Sequence, residues 1–251
     1  MKKIIAITNQ KGGVGKTTTA LSLLGALNER GYRTLGVDLD PQGSFGFSAG
    51  LNIEKVNTVY EVLKGTRPIE EVIVETDRLG DMIPSNILLS TAELEFNVPG
   101  REFLLRDELN KVRDSYDFII IDTPPALNVL TANAYVAAEG LIIPMAPEIL
   151  SLLGISQIRE TIDTVRRYYN PDLEVLGILL NRYSVRLVLN REVEEMARDI
   201  AKKLNTKVFH AKIRTSVAVA ESPAHGESVI SYAPNSKPAL DFNALVDELM
   251  E

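Results

Sequence analysis

The feature that most constrains the fold of this chain is a glycine-rich loop, KGGVGKT, at residues 11–17. A nearly continuous apolar run, KIIAIT, precedes it at residues 3–8, and residues 17–31 after it carry leucines at helical spacing and end on a glycine. This order predicts a buried strand, a tight loop and an amphipathic helix. Such a loop is a phosphate cradle, because its backbone N–H groups and the helix dipole both point at the anion.

The loop is a variant of the phosphate-binding pattern G-x-x-x-x-G-K-[ST], which would require glycine where this chain has Gln10. We expect Lys16 to lie over the β- and γ-phosphates and the Thr17 hydroxyl to ligate Mg²⁺. The other expected nucleotide contacts come from the loop itself: Gly12, Gly13, Val14, Gly15 and Thr18. The alternative, a glycine-rich turn with a surface lysine, leaves the strand, the helix and the Lys-Thr-Thr run unexplained. A second lysine, Lys11, stands at the other end of the glycines, although one lysine is enough to hold a phosphate.

Apolar strands alternate with helical patterns along the rest of the chain. Further strand signatures lie at residues 33–40, 117–125, 140–147 and 174–182, and helical patterns at 58–64, 101–114, 128–138, 150–169, 189–204 and 238–250. Residues 41–100 are the least periodic part. The alternation predicts an α/β fold with a mostly parallel central sheet and helices on both faces. Because no linker or repeat interrupts the chain, we expect a single P-loop NTPase domain over residues 1–251.

The composition excludes several kinds of fold and site. With 45% apolar residues the chain can bury a large core, and it has no apolar run of the length that a transmembrane helix needs. The absence of cysteine excludes disulfides, thiolate nucleophiles and iron–sulfur clusters. Two isolated histidines, His210 and His225, lack the clustering of a metal site. The N-terminus turns polar too early for a signal peptide, so we expect a cytoplasmic protein without a membrane anchor.

Polar residues follow the ends of several predicted strands. They are Asp38, Asp40, Asp122, Glu148 and Asn181. In open parallel sheets the ligand crevice lies outside the carboxyl ends of the strands, so these side chains and the phosphate loop are expected at one edge. Asp122 after four apolar residues is expected to hold Mg²⁺; the alternative is an aspartate that caps the next turn. The residues alone leave open whether Asp38 or Asp40 orients the attacking water.

Three motifs carry a resemblance to a known family. KGGVGKTTTA, VDLDPQG at residues 37–43 and IIIDTPP at 119–125, in this order and spacing, resemble the ParA/Soj branch of the deviant Walker A ATPases. The late segment SPAHGESVISYAPNSKPA at 222–239 extends the resemblance over nearly the whole chain. It implies a homodimer formed with ATP, in which Lys11 reaches the nucleotide of the partner subunit while Lys16 acts within its own subunit.

The resemblance also implies roles for single residues. Lys11, Lys16 and Asp40 would be catalytic, with Asp40 positioning the water. Asp38 would be the supporting acid, and Thr17, Asp38 and Asp122 would hold the Mg²⁺. Asn181 would recognise the adenine base, with Arg214 as a further nucleotide contact and Glu148 near the ribose in the partner subunit. The implied cofactors are ATP or ADP and Mg²⁺.

In this family the ATP-bound dimer binds double-stranded DNA without sequence preference, and a ParB-like partner triggers hydrolysis and release. The net charge of −7 opposes DNA binding, but residues 182–214 hold nine basic and four acidic side chains, a net charge of +5. Candidate DNA contacts are Arg186, Arg191, Lys212 and Arg214. The alternative is a solvated helix face with pairs such as Glu194–Arg198. The chain departs from the family's IPRNVR with IRTSVA at 213–218, which replaces two arginines by Thr215 and Ala218.

Other functions remain to be separated from this one. The related MinD proteins end in a basic amphipathic helix that binds membranes, whereas this chain has no lysine or arginine after Lys237. The nitrogenase iron protein and the arsenite pump ATPase need cysteines. An ATP-dependent ligase for a small carboxylate on the same core, and a ParA-like ATPase that positions a protein cargo, stay open as alternatives.

Overall fold

The computed structural model describes residues 3–76, 78–146, 153–183 and 188–251, without the side chains of 153–156 and 188–191. Its strands, in chain order, are β1 (Ile4–Ile7), β2 (Thr34–Asp38), β3 (Val74–Thr76), β4 (Gly80–Ile83), β5 (Phe118–Asp122), β6 (Gly140–Met145), β7 (Glu174–Tyr183) and β8 (Val208–Arg214). They form one sheet in the order β3-β4-β2-β5-β1-β6-β7-β8. Only the β3–β4 pair is antiparallel among the paired strands described.

The helices of the described residues follow most strands. They are α1 (Lys16–Glu29), α2 (Ser44–Ser48), α3 (Val59–Leu63), α4 (Ala92–Glu95), α5 (Leu104–Val112), α6 (Val129–Ala137), α7 (Leu153–Tyr168), α8 (Val188–Lys203), α9 (Val217–Glu221), α10 (Val229–Tyr232) and α11 (Lys237–Met250). No helix in these ranges is both long and apolar enough to cross a lipid bilayer.

The sheet separates two hydrophobic cores. Successive residues of a strand point to opposite faces, so Ile4 belongs to one core and Ile5 to the other. One core packs under α1, α10 and α11, and the other under α3, α5, α6, α7 and α8. The predicted α/β architecture, a mostly parallel sheet covered on both faces, is therefore confirmed.

Every strand and helix expected from the apolar pattern is present, with ends that differ by a few residues. The expected helix at 101–114 is shorter, because 3₁₀ turns occupy residues 101–103 and 113–115 on either side of α5. The predicted helix at 150–169 begins outside the described residues and continues as α7. The elements that were not predicted are β3, β4 and β8 and the short helices α2, α4, α9 and α10. All of them lie in the weakly periodic segments at 41–100 and 205–236.

The strand order places the loop after β1 at the centre of the sheet. β1 pairs with β5 on one side and with β6 on the other, and Ile7 at its end is in register with Asp122. Asp38 at the end of β2 is in register with Asp122 as well. Parallel neighbours lie about 4.8 Å apart, so the carboxyl ends of β1, β2 and β5 converge on one crevice.

Candidate nucleotide-binding site

The loop between β1 and α1 is open on its outer side. Gly13 and Gly15 adopt φ angles of 74° and 90°, in the left-handed region that favours glycine. Gly12 and Gly13 are exposed, and a Cβ on either would have no neighbouring atom within 4 Å. On its inner side the loop is held tightly, because a Cβ on Gly15 would lie 2.6 Å from Asn181 Nδ2. An anion can thus approach the loop backbone only from outside, where space is free.

Lys16 begins α1 and its side chain turns back into the loop. It is 7% exposed, and its Nζ donates a hydrogen bond to the carbonyl oxygen of Lys11 at 3.2 Å. Burial lowers the pKa of Lys16, while the negative charges of Asp122 and Asp40 act to raise it. The ammonium group therefore lies beneath the open loop, close to two carboxylates. The neighbouring loop residue Lys11 is half-buried, and its backbone N–H donates to Asn9 Oδ1 at 3.0 Å.

Asp122 is a fully buried carboxylate at the end of β5. Neither of its oxygens has a hydrogen-bond partner of normal geometry. Burial raises the pKa of Asp122 to about 7, and the nearby Thr17 hydroxyl and Lys16 ammonium limit that rise. Buried polar atoms without partners are rare, and a carboxylate beside a threonine hydroxyl has the oxygen chemistry that Mg²⁺ prefers. Thr17 and Asp122 therefore fit a divalent cation.

Asp38 has a different environment from Asp122. Its Oδ1 accepts a hydrogen bond from the backbone N–H of Asp40 at 3.0 Å, and its Oδ2 accepts from those of Phe45 and Gly46 at 3.0 and 3.2 Å. Burial and the proximity of Asp122 nevertheless raise the pKa of Asp38. Because its oxygens are occupied by three N–H groups, Asp38 holds the turn after β2 in place. That turn carries Asp40, which lies beyond the strand, is half-buried and accepts from Gln42 N–H at 3.0 Å.

A cavity of about 280 Å³ adjoins the loop at the ends of β7 and β8. Asn181 lines it, and its Nδ2 donates to the carbonyl oxygen of Val14 at 3.0 Å and to Thr19 Oγ1 at 3.2 Å. Asn181 Oδ1 is buried without a partner. The next residue, Arg182, has a φ of 53°, where β7 and β8 shift register. The cavity's lining also includes Gly15, Thr18, Ile213, Arg214, Thr215, Ser216, Val219 and Ala220.

The basic side chains at residues 182–214 are mostly paired with acids where the structure describes them. Lys212 Nζ lies 2.5 Å from Glu194, which also pairs with Arg198 at 2.6 Å, the contact expected under the alternative of a solvated helix face. Burial acts to raise the pKa of Glu194, but hydrogen bonds from Lys212 and Tyr183 hold it below its usual range.

The guanidinium of Arg214 is bound by Asp241. Arg186, the side chain of Arg191 and Glu148 lie outside the described residues.

The structure thus brings most of the predicted site residues to one crevice. The loop after β1, the start of α1, the turn after β2 and the end of β5 carry, in that order, Lys11, Lys16 with Thr17, Asp40, and Asp122. Asn181 closes the loop from the side of β7. Two polar residues of the site, Asn9 and Asp241, were not predicted. Asn9 binds the carbonyl oxygen of Pro144 through Nδ2 at 2.7 Å and so joins the loop to the end of β6. Its place between the end of β1 and the glycines, three residues before Gly12, was the available signal.

This geometry suits a nucleoside triphosphate. The open loop and Lys16 can bind phosphates, Thr17 and Asp122 can hold a cation, and the adjoining cavity has room for a base. Asp40 lies near enough to Lys16 for its charge to act on the ammonium group, so a second carboxylate adjoins the phosphate loop. The arrangement is that of a phosphoryl-transfer site, in which the protein mainly positions reactants and stabilises charge.

Comparisons with known proteins agree with this geometry. A family model described as an AAA domain matches residues 2–175. The chromosome partitioning protein ParA of Myxococcus xanthus is 42% identical, over 99% of this chain and 88% of that protein. The sporulation initiation inhibitor protein Soj of Bacillus subtilis is 41% identical, over 99% of this chain and 98% of its own length.

A solved structure has a fold similar to that of this chain. Cobyrinic acid a,c-diamide synthase from Mycobacterium smegmatis, crystallised with an ATP analogue and magnesium, has a TM-score of 0.87 at 36% identity, over 100% of this chain and 95% of that one. Both partition relatives exceed 30% identity over nearly the whole of this chain. The chain therefore belongs to the ParA/Soj family of P-loop ATPases.

Proposed function

We propose that this protein is an ATP-driven switch that dimerises with ATP bound and partitions DNA. Its ligands are ATP or ADP with Mg²⁺, and the cation neutralises phosphate charge when it is bound. Lys16 and the loop N–H groups bind the phosphates, Thr17 and Asp122 hold the cation, and Asp40 orients the attacking water. Asp38 contributes indirectly, because its three backbone hydrogen bonds fix the turn that carries Asp40.

The observation that carries the proposal is the position of Lys16. Its ammonium lies under an outward-open glycine loop, bonded to the Lys11 carbonyl oxygen and near two carboxylates. A phosphate that enters the loop can replace the carbonyl as the partner of Nζ, while the buried carboxylate of Asp122 gains a cation. The phosphate then neutralises the Lys16 ammonium and the cation neutralises the Asp122 carboxylate, two charges that burial destabilises. The charges of Lys16 and Asp122 at the loop are therefore complementary to those of an Mg²⁺–triphosphate complex.

Dimerisation gives a role to Lys11, the second lysine of the phosphate loop. The outer side of the loop, with Gly12 and Gly13 exposed, is free for another surface to cover. A second copy that faces this loop could bring its own Lys11 to the nucleotide, so that neither protomer alone has the full set of cations. The partition relatives ParA and Soj support this interpretation at 42% and 41% identity. The proposed activator of hydrolysis is a ParB-like protein.

Three variants test the nucleotide cycle. We expect Lys16→Ala to lose tight ATP binding, Asp40→Ala to bind ATP and dimerise without turnover, and Lys11→Ala to bind ATP but stay monomeric. Size-exclusion chromatography with light scattering, run with and without ATP, measures the assembly, and phosphate release measures turnover. An ATP-bound dimer of Lys11→Ala would contradict the role proposed for that residue.

DNA binding is the finer part of the proposal. In the structure Lys212 and Arg214 are paired with acids, so each must exchange its carboxylate for a phosphate or leave the contact to Arg186 and Arg191. We expect ATP-dependent retention on random duplex DNA that falls steeply with added salt, because each phosphate contact releases counterions. The bound dimer would then associate with the nucleoid in the cytoplasm.

The DNA assay needs two variants beside the wild type. Arg186→Ala should weaken retention and lower its salt dependence. Arg159→Ala, which removes an exposed arginine of α7 outside the basic segment, should leave retention unchanged. No retention of the wild type at low salt would contradict the DNA-binding part of the proposal.

A ligase for small molecules is the second candidate, and the similarity to cobyrinic acid a,c-diamide synthase favours it. Such an enzyme would consume ATP only when a carboxylic acid and a nitrogen donor are present. Phosphate release that depends on cobyrinic acid and is insensitive to Lys11→Ala would establish the ligase and exclude the switch. The near-complete match to two partition proteins makes the switch the better supported of the two.

A further inference from the structure

Arg214, the last residue of β8, is bound by a carboxylate of the C-terminal helix α11. Its Nε lies 2.9 Å from Asp241 Oδ2, and its Nη2 lies 2.5 Å from Oδ1. The backbone N–H of Arg214 also donates to Asp241 Oδ2, at 2.9 Å. The Asp241 side chain is 11% exposed. One mostly buried carboxylate therefore fixes both the main chain and the guanidinium of a single residue, in the paired geometry that gives the strongest arginine–carboxylate contacts.

The fixed residue belongs to the cavity beside the phosphate loop. Four consecutive residues, 213–216, line that cavity together with Val14, Gly15 and Asn181. Arg214 lies within this run, so the carboxylate of α11 holds the segment from which part of the cavity is built. Ile213, its neighbour, packs in the hydrophobic core under α11 and is 4% exposed. We call residues 213–216 the wall of the cavity. The wall is anchored by the apolar packing of Ile213 and by the ion pair of Arg214.

We propose that Asp241 is a positioning residue for the nucleotide base: through Arg214 it holds the 213–216 wall against the base. This rests on the proposed function, because it takes the cavity as the base pocket of an ATP site. Asp241 itself does not line the cavity, so it acts through the wall and not by touching the ligand. The helix that ends the chain thereby becomes part of the nucleotide site.

The position of the wall predicts which part of the ligand is affected. Removing the charge of Asp241 takes the counter-ion from the Arg214 guanidinium and weakens the hydrogen bonds by which α11 holds both the side chain and the backbone N–H of Arg214, so the end of β8 is held less firmly. The base loses contacts in consequence. The phosphates are bound by the loop after β1 and by Lys16, which Asp241 does not contact. Inorganic triphosphate, which has no base, should therefore bind as before.

Titration calorimetry with Mg²⁺ and either ATP or inorganic triphosphate tests this directly. We expect Asp241→Asn and Arg214→Gln each to weaken ATP binding by about three- to tenfold and to leave triphosphate binding within about twofold. The double variant should bind ATP no more weakly than the single ones, since both remove the same anchor. Asp247→Asn is the matched control, because it breaks an α11 ion pair with Arg30, 2.7 Å long, away from the cavity. It should change neither affinity.

Several results would overturn the inference. Equal losses for ATP and triphosphate, additive losses in the double variant, or the same loss from Asp247→Asn would each show that α11 only stabilises the fold. If Asp241→Asn does not fold, as judged by its melting curve, Arg214→Gln decides the question in the same assay. ATP binding by the wild type together with unchanged binding by both single variants would refute the positioning role alone. A wild type that binds no ATP would refute the proposed function and this inference with it.

Discussion

At the residue scale, two aspartates that face each other across neighbouring strands have opposite surroundings. Asp38 accepts three backbone hydrogen bonds, whereas Asp122, its register partner on β5, accepts none of normal geometry. Both are fully buried, and burial raises the pKa of each. The unsatisfied member of the pair is the one beside Thr17 and Lys16. Asp122 is therefore the carboxylate that gains most from a bound cation.

The raised pKa of Asp122 predicts how pH changes the stability of the nucleotide-free protein. Between about pH 4 and pH 7 the folded protein keeps a proton on Asp122 that the unfolded chain has lost, so this group destabilises the fold progressively as the pH rises. Asp122→Asn removes the effect. We expect the variant to gain roughly 2–4 kcal/mol over the wild type at pH 8 and much less at pH 5. Urea unfolding in EDTA measures the difference.

A control separates this effect from general surface charge. Asp114, whose carboxylate is fully exposed, offers the same substitution without burial. Asp114→Asn should change the unfolding free energy by less than about 0.5 kcal/mol at either pH. An Asp122→Asn variant that is less stable than the wild type at pH 8 would contradict the prediction, because it would show that the buried carboxylate already has a stabilising partner.

At the scale of elements, the phosphate loop is locked to β7 through one glycine. Gly15 combines a φ of 90° with a backbone that leaves no room for a Cβ next to Asn181. We expect Gly15→Ala to lower the unfolding free energy by about 1–3 kcal/mol and to abolish ATP binding, since the loop and Asn181 must separate. Gly12→Ala is the matched control, because its Cβ would meet no atom within 4 Å. Equal unfolding free energies of the two variants in urea would contradict a tight contact between the phosphate loop and Asn181.

The elements also show where sequence reasoning succeeded. The strands β1, β2, β5, β6 and most of β7 are buried along nearly their whole length, so each gives a continuous apolar run that is readable without the structure. β8 mixes buried Phe209 and Ile213 with exposed His210 and half-buried Lys212, as an edge strand does, and its run is broken. β4 has only two buried residues. Strands at the edge of the sheet, such as β8, or next to the edge, such as β4, are specified by pairing partners that a single sequence does not show.

The same limit applies to the candidate site. The glycines, Lys16 and the strand-end aspartates were predictable because their residue types and order follow from phosphate chemistry. The distinct environments of Asp38 and Asp122 were not, since they depend on where the N–H groups of Phe45 and Gly46 point after the turn. The Arg214–Asp241 pair was hidden for a similar reason, because packing brings together two residues that are 27 positions apart.

At the scale of the whole molecule, the described residues of the nucleotide site lie at one edge of the sheet, at the carboxyl ends of its strands. The loops after β1, β2 and β5 carry the phosphate and cation residues, and the ends of β7 and β8 carry the cavity. One sheet runs through the described residues from β3 to β8, with a core on each face. We propose that residues 1–251 form one domain, whose exposed loop face is the surface that a second copy covers.

The central claim is that each active centre is completed by Lys11 of the other protomer, and mixed subunits test it most directly. Lys11→Ala and Asp40→Ala are each expected to hydrolyse no ATP alone. In a dimer of one subunit of each kind, the Lys11→Ala subunit keeps its own Asp40 and receives the partner's lysine, so one centre is complete. Phosphate release from an equal mixture should therefore recover to at most about a quarter of the wild-type rate. A mixture in which the two variants co-purify as an ATP-bound pair, yet stay as inactive as the separate components, would contradict the claim, because Lys11 would then act in its own subunit's site.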